Sequence, residues 1–130
     1  MIKRKAIVVA LYMLLTSALS YAQSLSRIVE NSEAVLYVRT DSLKRLGDSA
    51  EFWQITDFKQ AKVNKKGEPY LSMEHHAVIN CAANTQNIKY TKIYSSNMLS
   101  GRIIASGSLN QKNPIPHGTS LEVIRNFVCK

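Results

Sequence analysis

The placement of the two cysteines constrains the fold more than any other feature of this sequence. Cys81 lies in the middle of the 130-residue chain, and Cys129 lies one residue from its end, in the segment PHGTSLEVIRNFVCK. Terminal residues usually fray unless something ties them down. A bond between the two cysteines would fix the C-terminus to the middle of the chain. Whether they bond depends on the compartment in which the chain folds.

The N-terminus indicates that compartment. The basic start MIKRK is followed by the apolar run AIVVALYMLL at positions 6–15, and small residues then precede a cleavage site between Ala22 and Gln23. This order is typical of a secretory signal peptide. Ten apolar residues are too few to cross a bilayer core, which needs about 20. The sequence therefore predicts a signal peptide over residues 1–22 and an exported mature chain, with no membrane-spanning segment in it.

In an oxidising compartment, two cysteines in a small domain usually form a disulfide. The competing interpretations are a metal pair or a catalytic thiol, and both need partners at suitable spacing. The three histidines of the chain, His75, His76 and His117, do not supply such a set. The pattern favours a Cys81–Cys129 disulfide.

The mature chain, residues 23–130, is long enough for one domain with a modest core. Cleavage removes three of the 17 basic residues and none of the nine acidic ones, which leaves a net charge of +5. Such a charge in an exported protein suits anionic partners such as lipopolysaccharide, sulfated glycans or acidic proteins rather than nucleic acid. It is equally consistent with the role of keeping a small domain soluble.

Short apolar segments with a two-residue period predict five or six strands. The strand segments are EAVLYVRT (33–40), AEFWQITDF (50–58), YLSMEHHAVINC (70–81), QNIKYTKIYSS (86–96) and SGRIIASGSL (100–109). DSLKRLGDS predicts a turn or a short helical turn, and the lysine-rich KQAKVNKKGEP predicts a charged turn region ending at Pro69. Close spacing and short polar connections indicate an antiparallel meander.

The periodicity becomes helical only near the C-terminus. Leu121, Ile124 and Val128 recur at helical spacing, and Thr119 with Glu122 matches a capping box. Strands followed by one helix predict an α+β domain, with the helix lying on one face of the sheet. Because side chains alternate along a strand, a disulfide at Cys81 would place the helix on the Cys81 face.

The order of these segments resembles the surface-adhesin protein E family of Gram-negative bacteria. The resemblance runs from about Val35 to Cys129, on the aromatic–x–x–x–Asp strand at Trp53, the cysteine closing the middle strand, and the Pro–x–Gly–Thr helix ending in cysteine. It implies a twisted antiparallel sheet with a C-terminal helix tethered by a Cys81–Cys129 disulfide. It also implies binding of host matrix or serum proteins, and dimerisation. The family's lipid-attachment cysteine has no counterpart here, so lipid anchoring is not expected. The exported chain is expected in the periplasm, at the outer cell surface or secreted.

Catalytic patterns are weak. Glu74, His75 and His76 are adjacent, but neighbouring strand residues point to opposite faces, so the two histidines cannot converge on one metal ion. The sequence has no nucleophile elbow and no phosphate-binding glycine loop. We therefore expect neither an enzyme nor a cofactor.

Two further features are candidates for partner binding. The lysine-rich hairpin predicts a solvated turn or, alternatively, an anion-binding patch of Lys59, Lys62, Lys65 and Lys66. Trp53, the sole tryptophan, fits core packing better than an exposed binding anchor. Trp53, Ile55 and Val78 are expected on the sheet face that the helix leaves open, where exposed apolar side chains predict a homodimer or a bound partner.

These observations support two hypotheses. The first is an exported, non-enzymatic, adhesin-like protein that binds a host protein. The second is a periplasmic accessory or structural protein that binds an envelope component or a partner enzyme.

Overall fold

The computed structural model describes residues 24–130, which form one antiparallel sheet and one α-helix. The strands are β1 (Leu25–Glu30), β2 (Ala34–Arg39), β3 (Lys44–Leu46), β4 (Ser49–Val63), β5 (Pro69–Asn80), β6 (Thr85–Tyr94) and β7 (Ile103–Pro114), and the helix is α1 (Ser120–Val128). A short 3₁₀ turn, Thr40–Ser42, follows β2. The predicted signal peptide lies outside the described residues. Within residues 24–130, no helix is long and apolar enough to span a membrane.

The strand order is β1-β2-β4-β5-β6-β7, with every pair antiparallel, and β3 pairs with the first residues of β4. The predicted fold class is confirmed. The structure adds β1, with six residues, and β3, with three. Both strands show too little alternation to be recognised in the sequence.

The lysine-rich segment differs from its predicted form. Lys62 pairs with Tyr70 and Val63 pairs with Pro69 across β4 and β5, so the strand continues five residues beyond Phe58. The turn is confined to residues 64–68, where Gly67 has a positive φ of 79° that a side chain would disfavour. The two-residue period is lost after Phe58 because the register shifts between Asp57 and Lys62.

Alternation along β4 separates the two faces of the sheet as predicted. Ala50, Phe52 and Phe58 are buried on the face under α1, while Trp53 and Asp57 point to the opposite face. The core lies between α1 and the β1–β5 part of the sheet. Its buried residues are Ala34, Leu36, Val38, Ala50, Phe52, Phe58, Ala77, Ile79, Ile115, Ile124 and Val128.

The helix begins at the predicted cap. Thr119 Oγ1 accepts a hydrogen bond from the Glu122 N–H at 3.4 Å, and the Glu122 carboxylate accepts from the Gly118 N–H at 3.3 Å. The Glu122 carboxylate also lies 2.9 Å from Nδ1 of His117. This contact and the hydrogen bond from Gly118 lower the pKa of Glu122. The acidic side chain in the first turn also suits the positive end of the helix dipole.

The disulfide joins Cys81, immediately after β5, to Cys129, at the end of α1, with a Cα–Cα distance of 5.8 Å. Arg125 strengthens the same contact, because its Nη2 donates to the Cys81 carbonyl at 2.9 Å. Arg45 Nη1 donates to the Lys130 carbonyl at 3.2 Å. The last turn of α1 is therefore held by one covalent bond and two hydrogen bonds.

Replacing both cysteines, Cys81→Ser with Cys129→Ser, is expected to lower the free energy of unfolding by about 4 kcal/mol. The reason is that the unfolded chain loses the constraint of a 48-residue loop. Urea denaturation followed by Trp53 fluorescence and by far-ultraviolet circular dichroism measures this change. An unchanged midpoint in the double variant would contradict the stabilising role of the disulfide.

Candidate functional site

The sheet face opposite α1, called here the open face, has a regular grid of aromatic and charged side chains. Strand register places Tyr37, Ile55, Glu74, Lys92 and Ser106 in one row across the sheet. The neighbouring row contains Trp53, His76, Tyr90 and Ser108. Five strands therefore contribute to one continuous surface.

Trp53 lies near the centre of this surface and is half-buried. Its indole ring stacks on His76 with a centroid distance of 5.2 Å, and Tyr90 approaches it edge-on at 6.0 Å. The core packing that the sequence favoured for Trp53 is wrong, because Phe52 and Gln54 occupy the buried positions on either side of it along β4. An aromatic side chain that is supported by two rings and still half-exposed can contribute a rigid contact to a binding surface.

Charged side chains near the indole ring are held by ion pairs and hydrogen bonds to one another. The Arg39 guanidinium lies 3.6 Å from the Glu74 carboxylate, and the Tyr94 hydroxyl donates to Glu74 at 3.1 Å. The pKa of Tyr94 is raised, mainly by burial and secondly by the negative charge of Glu74. His76 Nε2 lies 2.7 Å from the Glu51 carboxylate. These contacts restrain long side chains that would otherwise be free to rotate.

Two clefts flank Trp53. The larger has a volume of about 330 Å³ and is lined by Trp53 with Arg39, Glu74 and Lys92. The smaller, of about 240 Å³, is lined by Trp53 with Asp41, Ser42, Lys44, Glu51 and His76. Neither lysine makes an ion pair or a side-chain hydrogen bond within residues 24–130. Each cleft thus offers an aromatic wall and one cation that is available to a ligand.

The open face is less apolar than the sequence suggested. Ile55 points to this face but is only 3% exposed, and its cross-strand neighbours are the longer side chains of Tyr37 and Glu74. Val78 is half-buried. The expectation of an exposed Trp53–Ile55–Val78 patch is therefore wrong for Ile55, and the surface is mixed aromatic and charged instead.

The Glu-His-His run divides between the two faces as predicted. Glu74 and His76 lie on the open face, whereas His75 is buried on the helix side, where desolvation lowers its pKa to about 4. Among the described residues 24–130, the Nδ1 atom of His75 has no hydrogen-bond partner, and neither does Oε1 of Gln54, the residue paired with it on β4. Residues 24–130 contain no cluster of three His, Cys, Asp or Glu side chains that could hold a metal ion.

The four lysines of the predicted anion-binding patch lie in different settings. Lys59 Nζ is 2.7 Å from Glu30, and Lys62 Nζ is 3.4 Å from Glu33 and 5.7 Å from the centre of the Phe58 ring. Lys65 and Lys66 lie in the turn between β4 and β5. Two of the four charges are therefore partly neutralised, and the patch stays a prediction.

Sequence reasoning missed most of the residues around Trp53. Arg39 lies at the end of β2, whereas Tyr90, Lys92 and Tyr94 lie on β6, and only the register of the sheet brings them together. The available signal was the alternation of Tyr90, Lys92 and Tyr94 along IKYTKIY, which places three long polar or aromatic side chains on one face.

One face of the sheet is covered by a helix that a disulfide holds in place. The other face presents aromatic and charged side chains that contact one another. This arrangement is typical of a small binding domain. The chain belongs to the surface-adhesin protein E family, whose model matches residues 23–130. This family is one of adhesins rather than enzymes, and membership implies an exported protein. No curated protein matches the sequence.

The fold agrees with solved structures of protein E from Haemophilus influenzae. One has a TM-score of 0.61 at 17% identity and covers 82% of this chain and 84% of that one. A second crystal form has a TM-score of 0.63 at 16% identity, covering 82% and 87%. Protein E from non-typeable Haemophilus influenzae has a TM-score of 0.59 at 17% identity, and the match covers 82% of this chain and 76% of that one. At these identities the likeness shows the fold alone.

The burial of His75 predicts acid sensitivity. An unfolded chain protonates this histidine near pH 6.5, but the folded domain does so only near pH 4. The unfolded state therefore binds more protons between these values, and the free energy of unfolding falls by about 3 kcal/mol as the pH drops from 6.5 to 4. Urea denaturation at several pH values measures the slope. His75→Gln should remove most of it and His76→Gln should retain it; equal slopes in the two variants would contradict the assignment.

Proposed function

We propose that the mature chain is a non-enzymatic adhesin of the outer cell surface that binds a host matrix or serum protein through the open face. Family membership supports the adhesin class. The open face is chosen as the binding surface because of the position of Trp53. This side chain is half-buried between two clefts and packs against His76 and Tyr90.

The composition of the open face suits a protein partner. Trp, Tyr and Arg are the residue types most enriched among energetically dominant interface positions, and here they are adjacent. Arg39 is held by Glu74 and the indole by His76, so little side-chain entropy is lost when a partner binds. Lys92 and Lys44 would contact acidic groups at the rim, which increases the association rate more than the affinity.

The same surface could also be covered by a second copy of this chain. The burial of Ile55 leaves few fully exposed apolar side chains there, and the charges of Arg39 and Lys92 would face their own counterparts. We therefore assign the open face to a foreign partner. Homodimerisation stays a prediction, which sedimentation velocity over a wide range of concentrations tests directly.

Trp53→Ala is expected to weaken host-protein binding by about thirtyfold or more, which is the loss typical of a dominant interface residue. The measurement is surface plasmon resonance of purified residues 23–130 against a panel of matrix and serum proteins. Val123→Ala is the matched control, because Val123 is 42% exposed on α1, on the other side of the molecule. Equal losses in both variants, or undiminished binding by Trp53→Ala, would contradict the assignment of the open face.

Location is tested on intact cells. If the chain is exported and displayed on the surface, added protease should remove it from whole cells, and the mass of the mature protein should correspond to cleavage between Ala22 and Gln23. A periplasmic marker protein serves as the control for membrane integrity. Full resistance on whole cells, with digestion after the outer membrane is opened, would favour the periplasmic accessory role instead.

A further inference from the structure

The last strand, β7, forms an uncovered edge of the sheet. It pairs with β6 on one side only, and within residues 24–130 no other element lies along its outer side. All its residues except Ile104 are exposed. The opposite edge differs, because β1 has only six residues and packs against α1. An exposed edge presents unpaired N–H and C=O groups that can accept a further strand.

The middle of β7 is the part best suited to pairing. Register shifts separate Ile103 from Ala105 and Ser108 from Gln111, so the regular run is Ala105–Ser108. Its sequence, ASGS, is small and uncharged. Natural edge strands are usually protected by charged side chains, by proline or by bulges. Here the bulges flank the regular run and limit an added strand to a short segment rather than excluding it.

An apolar cleft lies beside this run on the helix side of the sheet. It has a volume of about 200 Å³ and is lined by Thr91, Ile93, Ala105, Ser106, Gly107 and Leu109. The helix does not extend to it, since the buried core cluster includes no residue of β6 or β7. Leu109 is 44% exposed as a result. A strand added next to β7 would place every second side chain on this side, where an apolar one fits the cleft.

The charge of the same region is entirely positive. No aspartate or glutamate occurs from His75 to Leu121, and the β6–β7 hairpin contains Lys89, Lys92, Arg102 and Lys112. Within residues 24–130 none of these four makes an ion pair. Lys92 pairs with Ser106 but lines the cleft beside Trp53, so Arg102 and Lys112 are the cations nearest to this edge in the chain.

We propose that the β7 edge binds an extended acidic segment of a partner protein as an additional strand. The backbone groups that point away from β6, on every second residue of Ala105–Ser108, supply hydrogen bonds, the cleft accepts an apolar side chain, and Arg102 and Lys112 attract the acidic ones. A second copy of β7 is a poorer occupant, because two hairpins with four unpaired cations each would repel one another. This surface is distinct from the open face around Trp53, so either site can fail without the other.

The test uses an eight-residue peptide of alternating valine and glutamate, added to ¹⁵N-labelled residues 23–130 at low salt. We expect slower amide hydrogen exchange at the alternate amides of Ala105–Ser108 that point away from β6, and chemical-shift changes confined to β6 and β7, with affinity that falls as salt increases. A valine–lysine peptide of the same length should not bind. An oligoglutamate peptide that binds equally well, without protecting the β7 amides, would overturn strand addition in favour of simple charge attraction.

Two lysine substitutions separate edge pairing from net charge. Gly107→Lys places a charged chain in the cleft, and a Cβ at Gly107 meets no atom within 4 Å, so the variant should fold. Ser108→Lys adds the same charge on the opposite face. We expect Gly107→Lys to weaken peptide binding by about tenfold or more and Ser108→Lys to leave it nearly unchanged. Equal affinities in the two variants, or β7 protection that grows with protein concentration without peptide, would overturn the proposal; the second result would indicate a homodimer edge.

Discussion

The contact between one short helix and one broad sheet is the constraint on which this structure depends. The nine-residue α1, the one helix within residues 24–130, fully buries only Ile124 and Val128, which is a small contribution to covering the core. The Cys81–Cys129 bond fixes that helix at its far end, while Thr119 and Glu122 cap its start. With both ends held, these two side chains close the core together with the buried Ile115 and the partly buried Leu121 and Phe127.

Because the helix is short, much of the sheet is not covered by it. On the open face, Ile55 is nearly inaccessible although no helix lies over it within residues 24–130, and its cross-strand neighbours are the long side chains of Tyr37 and Glu74. On the helix side, cover ends before β6, which leaves the cleft beside Leu109. The surfaces available to partners are therefore set by where the helix stops, rather than by a specialised insertion.

The sequence predicts the long elements well because their signals are physical and local. Alternation fixed the faces of β4 and β5, helical spacing with a capping box located α1, and compartment plus cysteine count favoured the disulfide that the structure contains. The short β1 and β3 were missed, because three to six residues carry little periodicity. The Trp53 surroundings could not be assembled from sequence, since Arg39, Glu74 and Lys92 meet only through register across three strands.

The position of Cys129 also has a consequence for the order of folding. The helix α1 follows every strand of the sheet, so in a chain that crosses a membrane N-terminus first the sheet would emerge before the helix that covers its core face. The second thiol would arrive with that helix, and an oxidising compartment would then allow the bond to form. Covalent closure is therefore expected among the last steps in the folding of this domain.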